Sequence, residues 1–503
     1  MSSRMYQIER FMEHPIETQN NLFQELIRKG TNTEFGLDHS FWNVNDLESY
    51  REQVPVRNYE RLYPYIERIL KGEQNILWPS YIRWFAKSSG TTNDRSKFIP
   101  VSKDSLDECH YKGGKDLLAI YISSNPDSLV MVGKGLVIGG SHQINNLSMN
   151  KRSYYGDLSA VIVTNLPFWS QLMKTPPTKV ALMGEWEEKI NKMVEITSKE
   201  DVTSIFGVPT WTVVLIQRIL DNTGANSILD VWPNLELFVH GAVSFTPYRS
   251  LFKELIPTDK MNYLETYNAS EGFFGIQDRP DSDDMLLMLD YGIFYEFIPI
   301  SELENENPNT ISLEEVEVGK NYALVITTNS GLWRYKIGDT VKFTSKYPFR
   351  IKITGRTRHF INAFGEELII ENAEQGITQA CEKTGAIIGD YTAGPRYLGM
   401  GKKGGHEWII EFKRPPGNFD RFINELDKTL RDLNSDYDAK RYKDMALEMP
   451  VIHAVKEGTF YDWMKNRDKL GGQNKVPRLV NSREYLDDIL KLVNEKDKFL
   501  EII

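Results

Sequence analysis

Residues 87–102, KSSGTTNDRSKFIPVS, set hydroxyl side chains and a glycine between two lysines and then run into an apolar segment. Ser88, Ser89, Thr91 and Thr92 offer donors, Gly90 lets a ligand approach the backbone, and Lys97 adds positive charge; that is the equipment for wrapping a polyphosphate. It is not a Walker loop, because no GxxxxGK followed by Ser or Thr occurs. In ETYNASEGFFG, residues 265–275, the Glu271 carboxylate follows small residues and sits near Tyr267. Such a carboxylate suits a magnesium ion bridging phosphate oxygens, and the tyrosine ring suits stacking on a base. In GLWRYKIGDTV, Asp339 follows Gly338 at a strand end, where a carboxylate accepts hydrogen bonds from two ribose hydroxyls. Arg356 and Arg358, in KITGRTRHF, stand at a domain junction, where an arginine neutralises phosphate or ribose oxygens as two domains close. Taken singly, each has a plain structural reading: a surface loop, a strand end with an exposed Glu and a buried Tyr, a turn aspartate, a solvated basic linker.

The elements that must position these residues follow from periodicity. Residues 1–75 read as helices, with apolar residues at three and four spacing and a stop at Gly30. From residue 84 short apolar bursts alternate with helical stretches such as KDSLDECHYKGGKDLLAIYISS and PTWTVVLIQRILDNTG, the pattern of an α/β domain. Residues 285–355 become short β runs with turns, a meander or small barrel. After Gly355 come a linker and a smaller α/β unit: IIENAEQGITQACEKTG as helix, HEWIIEFKRP as strand, and NFDRFINELDKTLRDLNSDYDAKRYKD as one long helix. The predicted architecture is a large N-terminal domain over 1–355 and a small C-terminal domain over 356–503.

Bulk properties narrow the function. At 503 residues the chain exceeds a single core. A net charge of −10 excludes a chain that binds nucleic acid or an anionic membrane through overall electrostatics, while leaving room for a local phosphate pocket. Cys109 and Cys381 have no metal-ligand spacing and imply a reducing compartment without disulfides. The N-terminus lacks a leader pattern and no apolar run reaches membrane-spanning length, so a soluble cytoplasmic protein is expected. His406 in GHEW lacks the second histidine of a zinc helix, and no GxSxG elbow serves a serine hydrolase.

The order SSGTT…K, YNASE, YKIGD and GR resembles the signature set of the adenylate-forming superfamily that includes firefly luciferase. Within it, the chain is similar over nearly its whole length to the Gretchen Hagen acyl acid amido synthetases, the auxin-responsive promoter family, also through VIGGS, GHEWIIEF and NKVPRLV. Thr92 stands where the family pattern has Ser, and Lys336 where Arg is usual. The resemblance implies a luciferase-like N-terminal domain with a β-barrel subdomain and a mobile C-terminal α/β domain hinged just after Gly355. It implies a ligase that uses ATP and Mg2+ to adenylate a small carboxylic acid, releasing pyrophosphate, and then passes the acyl group to an amine, typically of an amino acid. Ser88, Ser89, Gly90, Thr91 and Thr92 would then hold phosphate, Lys97 would assist, and Glu271 would hold the metal. Tyr267, Asn268, Ala269 and Ser270 would form the nucleotide motif, with Asp339 on the ribose, Arg356 on ribose or phosphate oxygens, and Gly241, Ala242 and Val243 beside the adenine. Lys475 corresponds to the family's C-terminal catalytic segment, and the acyl pocket would draw on Tyr111, Phe206, Val208, Pro209 and Trp211. An acyl-CoA or aryl-CoA ligase shares the first half-reaction and differs in its thiol acceptor; a nucleotide-binding scaffold without catalysis is the reading outside enzymology.

Overall fold

The computed structural model describes residues 2–88, 97–139, 145–147, 150–243, 245, 248–280, 282–303, 305–356, 360–366, 368–399, 403–467, 476–495 and 499. The leading segment is helical as its periodicity predicts: Ser2–Glu13, Pro15–Gly30, Leu47–Gln53 and Tyr59–Leu70. Pro15 opens the second helix at a position where its missing N–H costs nothing. Phe23, Leu26 and Ile27 on that helix are buried. These helices are tied to the main sheet by polar contacts as well. The Arg4 guanidinium reaches Asp116 at 2.7 Å and Asp290 at 2.9 Å, and Gln19 Nε2 donates to the carbonyls of Leu289 and Ile293.

Gly30 does more than end its helix. A Cβ there would lie 2.5 Å from the Trp333 ring, so the helix lies flush on that indole only because residue 30 has no side chain. Gly30→Ala is expected to destabilise the protein by about 1–3 kcal/mol through overpacking. The check is a lower Tm in thermal unfolding; an unchanged Tm would show that Trp333 yields freely.

One eleven-stranded sheet organises the large domain. Its parallel half comprises Lys174–Thr175, Lys134–Val137, Val202–Phe206, Leu237–Gly241 and Asn262–Ala269. VTSIF and LFVHG are almost wholly buried, as strands covered on both faces must be. The antiparallel half continues through Gly272–Ile276, Met285–Leu287, Phe349–Arg356, Tyr335–Lys346, Asn321–Thr328 and Ile293–Pro299. The β-rich region after residue 285 is thus the meander of the two forms predicted for it. Among the described strands it runs on from the parallel half as an open sheet and does not close on itself. A separate four-stranded sheet orders Lys97–Val101, Trp84–Ser88, Asn150–Gly156 and Asn145–Leu147.

The C-terminal unit holds a three-stranded sheet of Ile387–Arg396, Gly405–Arg414 and Val451–Val455. Gly405–Arg414 shows the two-residue alternation of a strand covered on both faces. Trp408, Ile410 and Phe412 pack with the helices Ile370–Thr384 and Phe419–Leu433, while Ile409 packs with Thr459–Asn466 and Glu484–Glu495. The stretch predicted as one long helix breaks at Asn434, whose side chain caps the next helix, Ser435–Arg441, by accepting from the N–H groups of Asp436 and Tyr437. Trp408 and Phe422 share one apolar core with Trp211, Trp232 and Tyr248 of the large domain.

Glu407, on the same strand, lies 2.6 Å from His453 Nε2 and 2.5 Å from the Arg483 guanidinium. The His453 hydrogen bond first, then Arg483, hold its carboxyl at about 2 against the opposing effect of burial. A depressed carboxyl contributes stability above its unfolded pKa of about 4.3 and loses it as pH falls toward the folded value. Glu407→Gln is therefore expected to be less stable than the parent at pH 6, with the gap narrowing between about pH 5 and pH 2. Urea unfolding at a series of pH values checks this; a gap independent of pH would mean the charge is immaterial.

Candidate active site

Parallel strands present their carboxyl ends on one edge of a sheet, where open α/β sheets bind ligands. Here that edge carries Phe206 to Val208, Gly241 to Val243, and the end of Asn262–Ala269. At residue 241 a Cβ would lie 2.5 Å from the Thr266 carbonyl oxygen, so only glycine fits the crossing. Ala242 then takes a left-handed conformation, φ +67°, and its carbonyl accepts a hydrogen bond from Asn362 Nδ2 at 3.1 Å. The chain leaves the strand in a sharp turn that exposes backbone at the edge.

Tyr267, near the end of its strand, is buried, and its hydroxyl donates to Asp339 Oδ2 at 2.7 Å. Asp339 is buried as well and stands directly opposite Arg356 in the antiparallel register of the meander. The structure thereby gathers three of the residues singled out in the sequence at one place. Ser270 and Glu271 form the apex of the tight hairpin between Asn262–Ala269 and Gly272–Ile276, with Ala269 paired to Gly272. Ser88 and Lys97 also pair, across Trp84–Ser88 and Lys97–Val101, so the connection between them starts and ends at one point of the small sheet. Lys97 Nζ lies 5.9 Å from the centre of the Tyr59 ring, a cation–π distance. Ser89, Gly90, Thr91, Thr92, Arg358 and Lys475 lie outside the described residues.

His110 was not legible as part of this neighbourhood. It lies on a π-helical turn, Leu106–His110, that leads into the helix Tyr111–Ser124. Such turns recur at functional sites. Burial lowers its imidazole to about 4, with the neighbouring Asn268 side chain opposing, so it is neutral at physiological pH. His110 Nδ1 and Asn268 Oδ1 are both buried without a hydrogen-bond partner, beside the hairpin that carries Glu271. A lone histidine in an apolar helix gives no sequence signal for this role; the unpaired polar atoms do.

The five residues predicted to form an acyl pocket divide between two cores. Tyr111 and Phe206 pack against the core of the N-terminal helices and meander, and Tyr111 Oη donates to the Ile162 carbonyl at 3.3 Å. Trp211 and Val208 belong to the core shared with the C-terminal unit, Trp211 beneath Lys440 at 5.8 Å, with Pro209 buried at the first turn of Pro209–Thr223. His406, weighed as a metal ligand, is instead fully buried with Nε2 2.8 Å from Glu366 Oε1. Among the described residues no three His, Cys, Asp or Glu side chains gather as a metal cluster. A single carboxylate at a hairpin apex fits a magnesium ion that takes its other ligands from phosphate and water. No helix among the described residues is long and apolar enough to cross a membrane.

Family models settle the kinship. The GH3 family N-terminal domain matches residues 4–261, the central domain residues 286–356, and the C-terminal domain residues 371–484. The chain belongs to the GH3 family. The family expected from the four motifs is the family found. GH3 relatives include indole-3-acetic acid-amido synthetase GH3.3 of Arabidopsis thaliana, 24% identical over 92% of this chain and 89% of that protein. The 4-substituted benzoates-glutamate ligase GH3.12 of the same plant is 23% identical over 93% of each. Among solved structures, the GH3.15 acyl acid amido synthetase matches with a TM-score of 0.59 at 16% identity, covering 96% of this chain and 94% of that one. A 2-hydroxyisobutyryl-CoA ligase bound to 2-HIB-AMP and CoA matches with a TM-score of 0.55 at 13% identity, covering 96% and 92%. These likenesses establish the adenylate-forming fold, and this GH3 chain is an enzyme of the ligase class.

Proposed function

We propose that this ligase adenylates a small carboxylic acid with ATP and transfers the acyl group to the amine of an amino acid. The observation that carries the nucleotide half is the buried Tyr267–Asp339 hydrogen bond in register with Arg356, on the edge that also presents Gly241 to Val243 and Glu271. The Tyr267 hydroxyl fixes the Asp339 carboxylate, whose remaining lone pairs accept from the two ribose hydroxyls. Arg356 meets ribose or phosphate oxygens, and the turned backbone at Ala242 flanks the adenine. Ser88, Ser89, Gly90, Thr91 and Thr92 hold the triphosphate, and Lys97, at the far end of the same connection, assists. Glu271 holds Mg2+, which when bound offsets the charge of the phosphate oxygens.

A carboxylate carbon is a poor electrophile and oxide a poor leaving group, so activation precedes amide formation. One oxygen of the acid attacks the α-phosphorus, forming a P–O bond as the bond to pyrophosphate breaks. The amine nitrogen then attacks the acyl carbon, the C–O bond to AMP breaks, and the nitrogen gives up its proton. Both steps depend on positioning and on stabilising negative charge, which the edge residues supply. Residues 356–503 turn between the two steps on the segment after Gly355, bringing Lys475 to the nucleotide in one of them. Tyr111 and Phe206 border the acid from the side of the helix Tyr111–Ser124.

The test is acid-dependent exchange of labelled pyrophosphate into ATP over a panel of aryl, indolyl and aliphatic acids. Product analysis with amino acids and with CoA follows. Exchange with one acid class and amide formation are expected. Exchange with thioester formation alone would assign a CoA ligase, and ATP binding without exchange for any acid would assign a nucleotide-binding scaffold.

A further inference from the structure

Beside the reacting edge, the main sheet bears a cavity of about 290 Å³, near the lower end of the size range of small-molecule sites. Its floor is His240 and Glu265, which stand opposite each other in register on neighbouring parallel strands. Gln277 secures one wall. Its side-chain oxygen accepts from the Glu265 N–H at 2.8 Å, and its Nε2 donates to the carbonyls of Arg279 and Ser282.

The polar groups facing this space are unmatched. His240 is 4% exposed, yet its Nδ1 has no hydrogen-bond partner. The Glu265 carboxylate makes no hydrogen bond or ion pair with any described residue; burial first, then Asp283, raises it to about 7, while Arg249 and Lys352 oppose. At the mouth the exposed Arg249 guanidinium lies 5.7 Å from the centre of the Phe245 ring and pairs with no carboxylate among the described residues. Asp283 is already engaged with Lys352 at 2.9 Å. One acceptor inside and one bidentate donor outside, joined by the apolar surfaces of Phe245, Met261 and Tyr263, form a template for a small molecule carrying both charges.

We propose that this cavity binds a small α-amino acid at a site separate from the one where an amine attacks the acyl group. The ammonium donates to the Glu265 carboxylate. The carboxylate meets the Arg249 fork, and the side chain lies along Met261 and Tyr263. Along the same strand the nucleotide residues begin close by: from Glu265 to Tyr267 an extended chain spans about 7 Å. Glu265 is two residues before Tyr267, and His240 directly precedes Gly241, so an occupant rests on the strands that carry the nucleotide residues.

The experiment is calorimetric titration of the full chain with each of the twenty protein amino acids, without ATP or acid, at pH 7.5. Saturable binding of at least one is expected, weakened at least about tenfold by Glu265→Gln and by Arg249→Gln, with ATP affinity unchanged in both. Arg249 is exposed, so its substitution tests the site even if Glu265→Gln fails to fold. No saturable heat from any amino acid overturns the proposal, as does binding that a folded variant leaves undiminished. Because neither ATP nor acid is present, failure here leaves the adenylation test standing on its own.

Discussion

Replacing Asp339 with alanine is expected to lower acid-dependent pyrophosphate exchange by about two to four powers of ten. Two charge-assisted hydrogen bonds from ribose hydroxyls, at about 1.5–3 kcal/mol each, sum to about 3–6 kcal/mol, and each 1.36 kcal/mol is a factor of ten in rate. Tyr267→Phe removes only the hydrogen bond that orients the carboxylate, held at 2.7 Å in the parent. A neutral donor of that kind contributes about 0.5–1.5 kcal/mol, so a loss of about tenfold or less is expected. The ratio of the two effects separates ribose binding from simple packing, and exchange by Asp339→Ala within tenfold of the parent would remove the carboxylate from the nucleotide site.

Glu271→Ala is expected to cost about three powers of ten in the same assay, with little change in Tm. The residue is half-buried at a hairpin apex, outside the cores, so its removal opens no cavity. Among the described residues no acidic cluster stands ready to replace it as a metal ligand. Glu271→Asp keeps the charge but withdraws it by one methylene, and it should recover part of the rate as magnesium is raised. If Glu271→Ala keeps full exchange at low magnesium, another group holds the metal.

What the sequence disclosed and what it withheld have different physical origins. The helices at the start and the alternation of strands and helices after residue 84 are written in local periodicity, and the structure has both. The break at Asn434 was hidden because the apolar spacing runs on through it, and only the capping side chain shows that the helix restarts. The joining of Phe349–Arg356 to Met285–Leu287 depends on pairing between segments far apart in sequence. So does the meeting of Tyr267 with Asp339, 72 residues away, which motif order suggests and spacing alone does not. Trp211 read as an aromatic wall for a substrate; its cover, Lys440, comes from the other end of the chain. Neither His110 nor His240 stands out in the sequence; what marks them is the nitrogen each leaves unbonded.

Asn362 donates to the Ala242 carbonyl, while the Tyr248 hydroxyl donates to the Ala363 carbonyl 2.5 Å away. The backbone beside the proposed adenine position and the first residues of the C-terminal unit are thus held in one hydrogen-bonded latch over an apolar seam. Any rotation of that unit has to release the latch and wet the seam. Linkage then runs both ways: a ligand that favours the turn at Ala242 as it stands disfavours release of the C-terminal unit, and a substitution such as Asn362→Ala, by favouring that release, changes the affinity for the nucleotide.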